Sequence, residues 1–282
     1  MASAISALFA APARAPAATT PLEVQGGQYT GYDGTQLFYR RTGKGPTVIL
    51  LHRFLSDGPR NWFNTGVAQA ICDAGLSVVA PDARAQGLSA ASPGPDAKDV
   101  LAMDVEALIR TLGLKSFHLF GYAIGARTAV RLMVRGARPE RCILSGVGIT
   151  GVVNVERIDA PNIETIRAGR NARDPRLGIL VQSAIKLQKL KPAALIAVLK
   201  SEVSTSRAEL AQLHTPILVM NAAKDNIEGS PAELAAALPE AAVLRLPGDH
   251  FSVLRDPKLA QTAAAFLKSR EPPARFAAAA AL

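Results

Sequence analysis

Three positions at which chemistry could take place each follow an apolar, strand-like run. They are occupied by Ala123, Asp225 and His250. An aspartate that holds one ring nitrogen of a histidine stabilises the imidazolium formed when the histidine accepts a proton, so Asp225 and His250 could act as a general base. Such a base commonly activates a serine or cysteine nucleophile. Ala123 has neither oxygen nor sulfur, so no acyl intermediate can form on it. If the fold brings the three positions together, a general base would lie beside a position that lacks a nucleophile.

The segment around Ala123 has the pattern of a strand, a sharp turn and a helix. Gly121 and Gly125 flank the alanine, and without a Cβ atom they let the strand and the helix approach closely. Apart from the alanine, the segment from Phe117 to Arg127 resembles the nucleophile elbow of the α/β-hydrolase superfamily, in which a serine occupies the central position. Taken alone, such a short match also fits an ordinary turn into a helix.

Two downstream segments resemble the same superfamily in its order of nucleophile, acid and base. Asp225 follows the apolar run 215–221 and corresponds to the acid, and His250 follows the run 242–247 and corresponds to the base. The alternative is a surface aspartate and a loop histidine without a common task. The resemblance extends from about Gly27 to Leu267, and within the superfamily the chain is most similar to a small-cap bacterial branch. It therefore implies a hydrolase-like scaffold.

The run Pro46 to His52 resembles the third strand of the family and its His-Gly turn, which supplies an oxyanion donor. Arg53 stands where the family has a glycine. The resemblance implies that His52, Arg53 and Phe54, together with Tyr122 and Ile124 beside Ala123, form the oxyanion and ligand-binding residues.

The side chain of Arg53 carries a permanent charge at this position. If it faces inward, it lies near the N-terminus of the elbow helix, which also attracts anions. We therefore expect a small-molecule ligand with an acidic group. The alternative is that Arg53 points into solvent or pairs with Asp57 or Asp82.

Length and pattern predict an α/β protein with the α/β-hydrolase fold, a mostly parallel central sheet with helices on both faces. We assign residues 1–26 to a low-complexity leader, 27–149 and 213–270 to the core, 150–212 to a short helical cap, and 271–282 to a low-complexity tail. The turn Asp33-Gly34 predicts a hairpin. Helices are expected over 61–74, 96–112 and 179–199, the last broken at Pro192.

The net charge of +9 raises the question of nucleic-acid binding. Arg127, Arg131 and Arg135 recur every four residues and so lie along one helical stripe. No aromatic residues are interleaved with them and no nucleic-acid motif is present, so we expect no specific nucleic-acid partner.

The scattered histidines predict no metal site, and we expect no cofactor. No apolar run approaches the length of a membrane span. We expect a cytoplasmic protein, or an exported one if the leader is a signal.

Three interpretations of Ala123 remain open. The chain could be a serine hydrolase inactivated by a single substitution, although Arg53, Ala85 and Gln86 also depart from the family pattern. It could be a non-catalytic relative that keeps the cavity to bind a ligand. It could also be a nucleophile-independent enzyme, of the lyase or oxygenase type, that uses His250 and Asp225 as its base. Loss of the nucleophile together with the change at Arg53 favours the ligand-binding relative.

Overall fold

The computed structural model describes residues 21–91 and 97–280. Its strands are β1 (Gln25–Thr30), β2 (Gln36–Gly43), β3 (Thr47–Leu51), β4 (Ser77–Pro81), β5 (His118–Tyr122), β6 (Cys142–Ser145), β7 (Ile217–Ala222) and β8 (Ala241–Leu246). They form one sheet in the order β1-β2-β4-β3-β5-β6-β7-β8. The β1–β2 and β2–β4 pairs are antiparallel and the other pairs are parallel. The expectation of a mostly parallel sheet is confirmed.

The helices of the described residues follow the strands in a repeating pattern. They are α1 (Pro59–Phe63, a π-helical turn), α2 (Val67–Asp73), α3 (Val100–Thr111), α4 (Ile124–Val134), α5 (Ile149–Val153), α6 (Val155–Ala168), α7 (Pro175–Leu187), α8 (Pro192–Ser201), α9 (Arg207–Leu210), α10 (Pro231–Ala236), α11 (Pro257–Lys268) and α12 (Pro273–Ala280). Short 3₁₀ turns occur at Gly169–Asn171 and Val253–Arg255.

Both faces of the sheet are covered by helices. Side chains of α2, α11 and α12 pack on one face, where Val48 and Phe120 point. Side chains of α3, α4 and α10 pack on the other face, where Ile49 and Leu119 point. Neighbouring strand residues therefore alternate between two buried layers, which explains why the central strands are apolar throughout.

Several helices begin at a polar cap followed by proline. The carboxylate of Asp174 accepts a hydrogen bond from the Arg176 N–H at 3.0 Å, and Pro175 occupies the first helical position of α7. The same arrangement starts α10 at Ser230 and α11 at Asp256. These caps bind N–H groups that the helix leaves free, and proline at the first position loses no helical hydrogen bond.

Five helices, α5 to α9, lie between β6 and β7, and we call this stretch the helical segment. The expected break at Pro192 is present, since α7 ends at Leu187 and α8 begins at Pro192. The hairpin at Asp33-Gly34 is also confirmed, with Thr30 opposite Gln36.

Three boundaries differ from the sequence-based expectation. The helix expected over 61–74 is divided into α1 and α2 by Gly66, whose φ of 83° is left-handed. The helix expected from Asp96 begins at Val100, and Asp96 itself lies outside the described residues. β1 starts at Gln25, inside the range assigned to the leader, of which 1–20 lie outside the described residues.

The range assigned to the tail contains α12. Phe276 contacts Phe266 of α11 edge to face with ring centroids 5.2 Å apart, and Ala277 is buried. The alanine run therefore forms a helix that packs on the core; residues 281–282 lie outside the described part of the chain.

Candidate ligand-binding site

Ala123 lies in the turn between β5 and α4 with a strained backbone. Its φ of 51° and ψ of −117° are rarely adopted by a residue other than glycine, and such strain costs on the order of 1–3 kcal/mol. The Ala123 N–H donates to the Ser145 carbonyl at 2.8 Å, and the Ala123 carbonyl accepts from the Arg127 N–H at 3.0 Å. The sharp turn is thus held by its hydrogen bonds even though its central side chain is a methyl group.

The two flanking glycines are required by close backbone contacts. A Cβ on Gly121 would lie 2.3 Å from the Gly125 carbonyl oxygen, and a Cβ on Gly125 would lie 2.1 Å from the Leu51 carbonyl oxygen. Both distances are far below van der Waals contact. The glycines therefore let α4 start directly against the sheet, as the sequence predicts.

His250 and Asp225 meet at the carboxyl end of the sheet. His250 Nδ1 lies 2.8 Å from Asp225 Oδ2, and both side chains are buried. The other oxygen, Oδ1, accepts from the Ile227 N–H at 3.3 Å, which helps to fix the carboxylate. The hydrogen bond assigns the proton to Nδ1, so Nε2 is left as the basic nitrogen. The expected hydrogen bond between the two residues is present.

Tyr122 supports His250 from behind. Its hydroxyl donates to the His250 carbonyl at 2.5 Å, and the two rings contact edge to face with centroids 5.3 Å apart. Burial raises the pKa of Tyr122 well above its usual value, so the hydroxyl remains a donor. The expectation that Tyr122 belongs to the ligand-binding residues is corrected, because its side chain fills the space beneath the histidine loop and is absent from the cavity lining.

His52 also has a supporting position rather than the expected place at the ligand. Its Nδ1 donates to the Arg53 carbonyl at 2.7 Å, and its Nε2 accepts from the Ala83 N–H at 2.8 Å. Burial lowers the pKa of His52, in keeping with a neutral ring that donates at one nitrogen and accepts at the other. Because both nitrogens bind backbone groups, His52 joins the ends of β3 and β4 and does not line the cavity near Ala123.

Arg53 faces the cavity. Its guanidinium lies 5.6 Å from the Phe251 ring centroid, and the Phe251 ring in turn contacts His250 at 5.1 Å. Burial lowers the pKa of Arg53 to about 10, so it remains a cation at neutral pH. Its other contact is a 3.4 Å hydrogen bond from Nη1 to the Phe54 carbonyl.

The two carboxylates considered as alternative partners for Arg53 are taken by other arginines. Asp57 pairs with Arg60, and Asp82 accepts from Arg40 at 2.9 Å. Among residues 21–91 and 97–280, no carboxylate lies within ion-pair distance of Arg53. The cation at this end of the cavity therefore has no ion-pair partner in the described part of the protein.

Two backbone N–H groups beside Ala123 also remain available. The hydrogen bonds of the described residues leave the Phe54 and Ile124 N–H groups without an acceptor, whereas the Arg53 N–H donates to Asn61 Oδ1 at 3.2 Å. Phe54 follows β3 and Ile124 opens α4, so both donors lie at the carboxyl edge of the sheet. Such paired donors can bind an oxyanion or one oxygen of a carboxylate.

These groups surround a cavity of about 170 Å³. Twelve of its seventeen lining residues are apolar, and seven of the seventeen belong to the helical segment, four of them to α7. Its lining is Arg53, Phe54, Leu55, Ala123, Ile124, Arg127, Ile158, Asn162, Leu177, Leu180, Val181, Ala184, Leu199, Ile227, Glu228, His250 and Phe251. An apolar pocket with a few convergent polar groups is typical of a small-molecule site.

Arg127 is a functional candidate that sequence reasoning did not assign to the site. Its Nη2 donates to Asp159 Oδ1 at 2.9 Å, and its Nε lies 3.4 Å from Glu202 and 4.0 Å from Glu228. Burial disfavours its charge, but these carboxylates outweigh burial and raise the pKa of Arg127. Burial raises the pKa of Glu202 to about 8 and also raises those of Glu228 and Asp159. We call these four residues the Arg127 cluster.

The rest of the arginine stripe is paired as well. Arg131 Nη2 contacts Asp99 at 2.7 Å, and Arg135 Nε contacts Glu106 at 2.6 Å. The stripe is thus neutralised by carboxylates of neighbouring elements, which leaves it poorly suited to bind phosphates. The sequence shows the spacing of the arginines but not their partners. These three carboxylates lie 29 to 32 residues away along the chain.

Within the described ranges, no group of three or more His, Cys, Asp or Glu side chains is arranged to hold a metal ion. The helices that the structure describes include none of the length and apolarity that a membrane crossing requires.

Comparisons with known proteins agree with this architecture. A family model described as "Alpha/beta hydrolase family" matches residues 48–262. N-formylmaleamate deformylase of Pseudomonas putida is 32% identical over 139 residues, which make up 45% of this chain and 47% of that protein. The match therefore spans about half the length of this curated relative.

Two solved structures share the fold at low sequence identity. An esterase of Exiguobacterium antarcticum has a TM-score of 0.71 and 17% identity, with 87% of this chain and 100% of that chain covered. A thermophilic esterase of Thermogutta terrifontis has a TM-score of 0.67 and 21% identity, with 86% and 98% covered. These likenesses show that the expected α/β-hydrolase fold is present.

Proposed function

We propose that this chain, which belongs to the alpha/beta hydrolase family, binds a small carboxylate beside Ala123 and forms no acyl-enzyme. The observation that carries the proposal is the combination of three features: a half-buried cation without an ion-pair partner among the described residues, two free N–H donors, and a missing nucleophile. Arg53, Phe54 and Ile124 supply the positive groups, while Ala123 supplies only a methyl group. The site is therefore suited to hold an anion and unsuited to acyl transfer.

A carboxylate can use these groups together. One oxygen would accept from the Arg53 guanidinium, and the other would accept from the N–H groups of Phe54 and Ile124. The positive end of the α4 dipole adds to the attraction. Hydrogen bonds to a charged group contribute about 1.5–3 kcal/mol each, so loss of the guanidinium should be measurable.

We further propose that the helical segment acts as the cap of this site. Leu177, Leu180, Val181 and Ala184 of α7 line the cavity opposite the elbow. Their apolar side chains would contact the carbon skeleton of the ligand, while Arg53 holds its charge.

Related proteins support carboxylates as probes. The curated relative is named for N-formylmaleamate, and the Thermogutta terrifontis esterase structure is described as malate-bound. Both descriptions belong to those proteins, and they serve only to guide the choice of compounds.

The test is isothermal titration of acetate, malate and phosphate, with acetamide as the neutral counterpart of acetate. Arg53→Met should lower the affinity for the anions about ten- to hundredfold, because it removes one charge-assisted contact. Arg60→Met is the matched control, since Arg60 lies nearby but pairs with Asp57. Equal affinity in wild type and Arg53→Met, or tighter binding of acetamide than of acetate, would contradict the proposal.

Ester hydrolysis tests the second half of the proposal. Wild type should hydrolyse short activated esters no faster than His250→Ala. Ala123→Ser alone should restore little activity because Arg53 still occupies the oxyanion turn, and adding Arg53→Gly should restore more. A serine-hydrolase rate in wild type that disappears in His250→Ala would overturn the non-catalytic assignment. Full activity of Ala123→Ser alone would identify Ala123 as the only change that inactivates a serine hydrolase.

The intact dyad supports a second candidate, an enzyme that uses His250 as a base without a covalent step. The 2.8 Å bond to Asp225 leaves Nε2 of His250 free to remove a proton from a bound molecule. The test is exchange of the α-hydrogens of malate or acetate in D₂O, followed by NMR. Exchange that His250→Ala abolishes would support this enzyme, and exchange at the buffer rate would contradict it.

A further inference from the structure

Helix α7 has two different faces. One face lines the cavity through four apolar residues, Leu177, Leu180, Val181 and Ala184. From Arg176 onwards, the residues of α7 that are exposed to solvent are Arg176, Ile179, Ser183, Lys186 and Leu187. With 3.6 residues in each turn, these five side chains fall within an arc of about 100° around the helix axis. We call these five residues the outer face of α7.

The outer face of α7 exposes two large apolar side chains. Ile179 is 53% exposed and Leu187 is 68% exposed, and they are two of the five large hydrophobic residues that the described part of the chain exposes. A third, Ile227, is 59% exposed and lines the same cavity as α7. A surface helix commonly turns polar residues to the solvent, so α7 differs in carrying apolar residues on both of its faces.

The charged residues of this helix and its flanks are nearly all basic. α7 contains no acidic residue between Pro175 and Leu187. Arg176 and Lys186 lie on the outer face, and four more exposed basic residues flank the helix, namely Arg170, Arg173, Lys189 and Lys191. None of the six forms an ion pair within residues 21–91 and 97–280. The single acidic residue of this stretch, Asp174, accepts from two N–H groups as the cap of α7.

Basic and aliphatic side chains on one helix face are typical of helices that lie on a membrane surface. Aliphatic groups gain from contact with the boundary of the acyl chains, and Lys or Arg gains from anionic headgroups. A nucleic acid would use the basic residues but would offer no apolar partner to Ile179 and Leu187. In a symmetric contact with a second copy, Arg176 and Lys186 would meet basic residues again, with no carboxylate of α7 to pair with them.

We propose that the outer face of α7 docks the protein on an anionic lipid surface. Ile179 and Leu187 enter the headgroup region, and Arg176 and Lys186 contact the lipid phosphates or carboxylates. The helix that lines the cavity from one side then lies on the membrane with its other side. This surface is separate from the groups that hold the carboxylate at Arg53, so the two proposals are tested independently.

The first experiment uses wild type and needs no variant. The full chain is sedimented with vesicles of phosphatidylcholine alone, or of phosphatidylcholine and phosphatidylglycerol in equal parts. It should bind at least about tenfold more tightly to the anionic vesicles in about 0.1 M salt. Raising the salt to about 1 M should remove most of this preference, because it shortens the range of the charge interaction to about 3 Å.

Paired variants then test whether the outer face is responsible. Arg176→Gln/Lys186→Gln should weaken binding about twenty- to thirtyfold, since each basic side chain at an anionic surface contributes about fivefold. Lys258→Gln/Lys268→Gln is the matched control, because these exposed residues have the same spacing on α11 and the pair removes the same net charge. The control should lose less than about threefold.

A second pair tests the apolar contact. Ile179→Ser/Leu187→Ser should weaken binding to anionic vesicles at least about tenfold without changing the net charge. Its control is Val24→Ser/Leu88→Ser, which removes two other exposed apolar side chains and should bind as wild type does. All eight substituted side chains are exposed, and a thermal melt of each variant establishes that it is folded.

Four results would overturn the inference. The first is equal binding of wild type to neutral and anionic vesicles, or to neither. The second is an equal loss in the two Gln pairs, which would show adhesion through net charge alone. The third is unchanged vesicle binding by Ile179→Ser/Leu187→Ser. The fourth is tighter binding to duplex DNA than to anionic vesicles, or a dimer that Ile179→Ser/Leu187→Ser dissociates, since either would assign this face to another partner.

Discussion

Replacement of Arg127 by methionine should destabilise the protein strongly. Arg127 is 3% exposed and lies within 4.0 Å of three acidic side chains, which come from α6, from the end of α8 and from the loop after β7. Methionine retains most of the side-chain volume but removes the charge and the 2.9 Å bond to Asp159. Breaking a buried ion pair by removing one partner costs about 3–5 kcal/mol, because the remaining charge is left without compensation.

Arg135 of the same helix provides the matched comparison. Its pair with Glu106 has a 2.6 Å contact, but the two side chains are 30% and 24% exposed. Pairs near the surface contribute about 0–1 kcal/mol, so Arg135→Met should lose far less stability than Arg127→Met. The difference between the two variants should be at least about 2 kcal/mol.

Urea denaturation of both variants at pH 7, followed by circular dichroism, measures this difference from the shift in midpoint. The slope of each transition should match that of wild type if only stability has changed. Equal losses for the two variants, or a loss below about 1 kcal/mol for Arg127→Met, would refute the assignment of Arg127 as the buried counter-charge.

Three further predictions concern the elbow and the same cluster. Ala123→Gly should raise the free energy of unfolding by about 0.5–2 kcal/mol, because relief of backbone strain exceeds the added flexibility of the unfolded chain, whereas Ala126→Gly inside α4 should lower it. Thermal melts compare the two, and a destabilised Ala123→Gly would show that the turn is not strained. Gly125→Ala should prevent stable folding or cost at least about 3 kcal/mol, because its Cβ would meet a carbonyl oxygen at 2.1 Å; Gly58→Ala, whose nearest contact would be 3.4 Å, should be tolerated. Similar melting temperatures for these two variants would contradict the close packing of α4 on the sheet. Finally, the pKa of Glu202 is raised to about 8 by burial, so the folded state holds this proton more tightly than the unfolded state, and the stability that it contributes at low pH is lost as the pH rises from about 4.5 to 8. Glu202→Gln should remove that part of the pH dependence and gain stability relative to wild type at pH 8, as measured by urea denaturation at pH 5 and pH 8; the same slope in both proteins would argue against a buried proton on Glu202.

The sequence predicted the elements that depend on local signals. Gly121 and Gly125 marked the sharp turn, and Asp33-Gly34 marked the hairpin, because in each case the residue type itself permits the required backbone geometry. The meeting of His250 with Asp225 followed from the resemblance, since parallel strands end at the same edge of a sheet.

Side-chain direction could not be predicted in the same way. Tyr122 and His52 stand beside the site in the sequence, yet both turn away from the cavity to bind backbone groups. Which way such a side chain points depends on the atoms that surround it, and those atoms come from distant parts of the chain. His250 lies 128 residues from Tyr122, so no local pattern records their hydrogen bond.

The Arg127 cluster could not be predicted from the sequence for a related reason. Spacing showed that three arginines share a face of α4 but did not show what that face contacts. Their partners are carboxylates of the helical segment, of α3 and of neighbouring loops, whose positions are fixed only when the chain has folded. A sequence pattern can show that charges lie on one face but not that the face is buried.

The ion pairs of α4 also determine how a ligand can enter. Arg127 and Arg131 connect α4 to the helical segment through buried or half-buried contacts at Asp159, Glu202 and Glu209. Swinging the whole segment away, in the manner of a hinged lid, would expose several charges at once while breaking their pairs. We therefore expect exchange to proceed through small, local fluctuations of side chains on α7, with the frame of the cavity kept closed. The rate of ligand release should then respond to the bulk of the α7 side chains and only weakly to solvent viscosity.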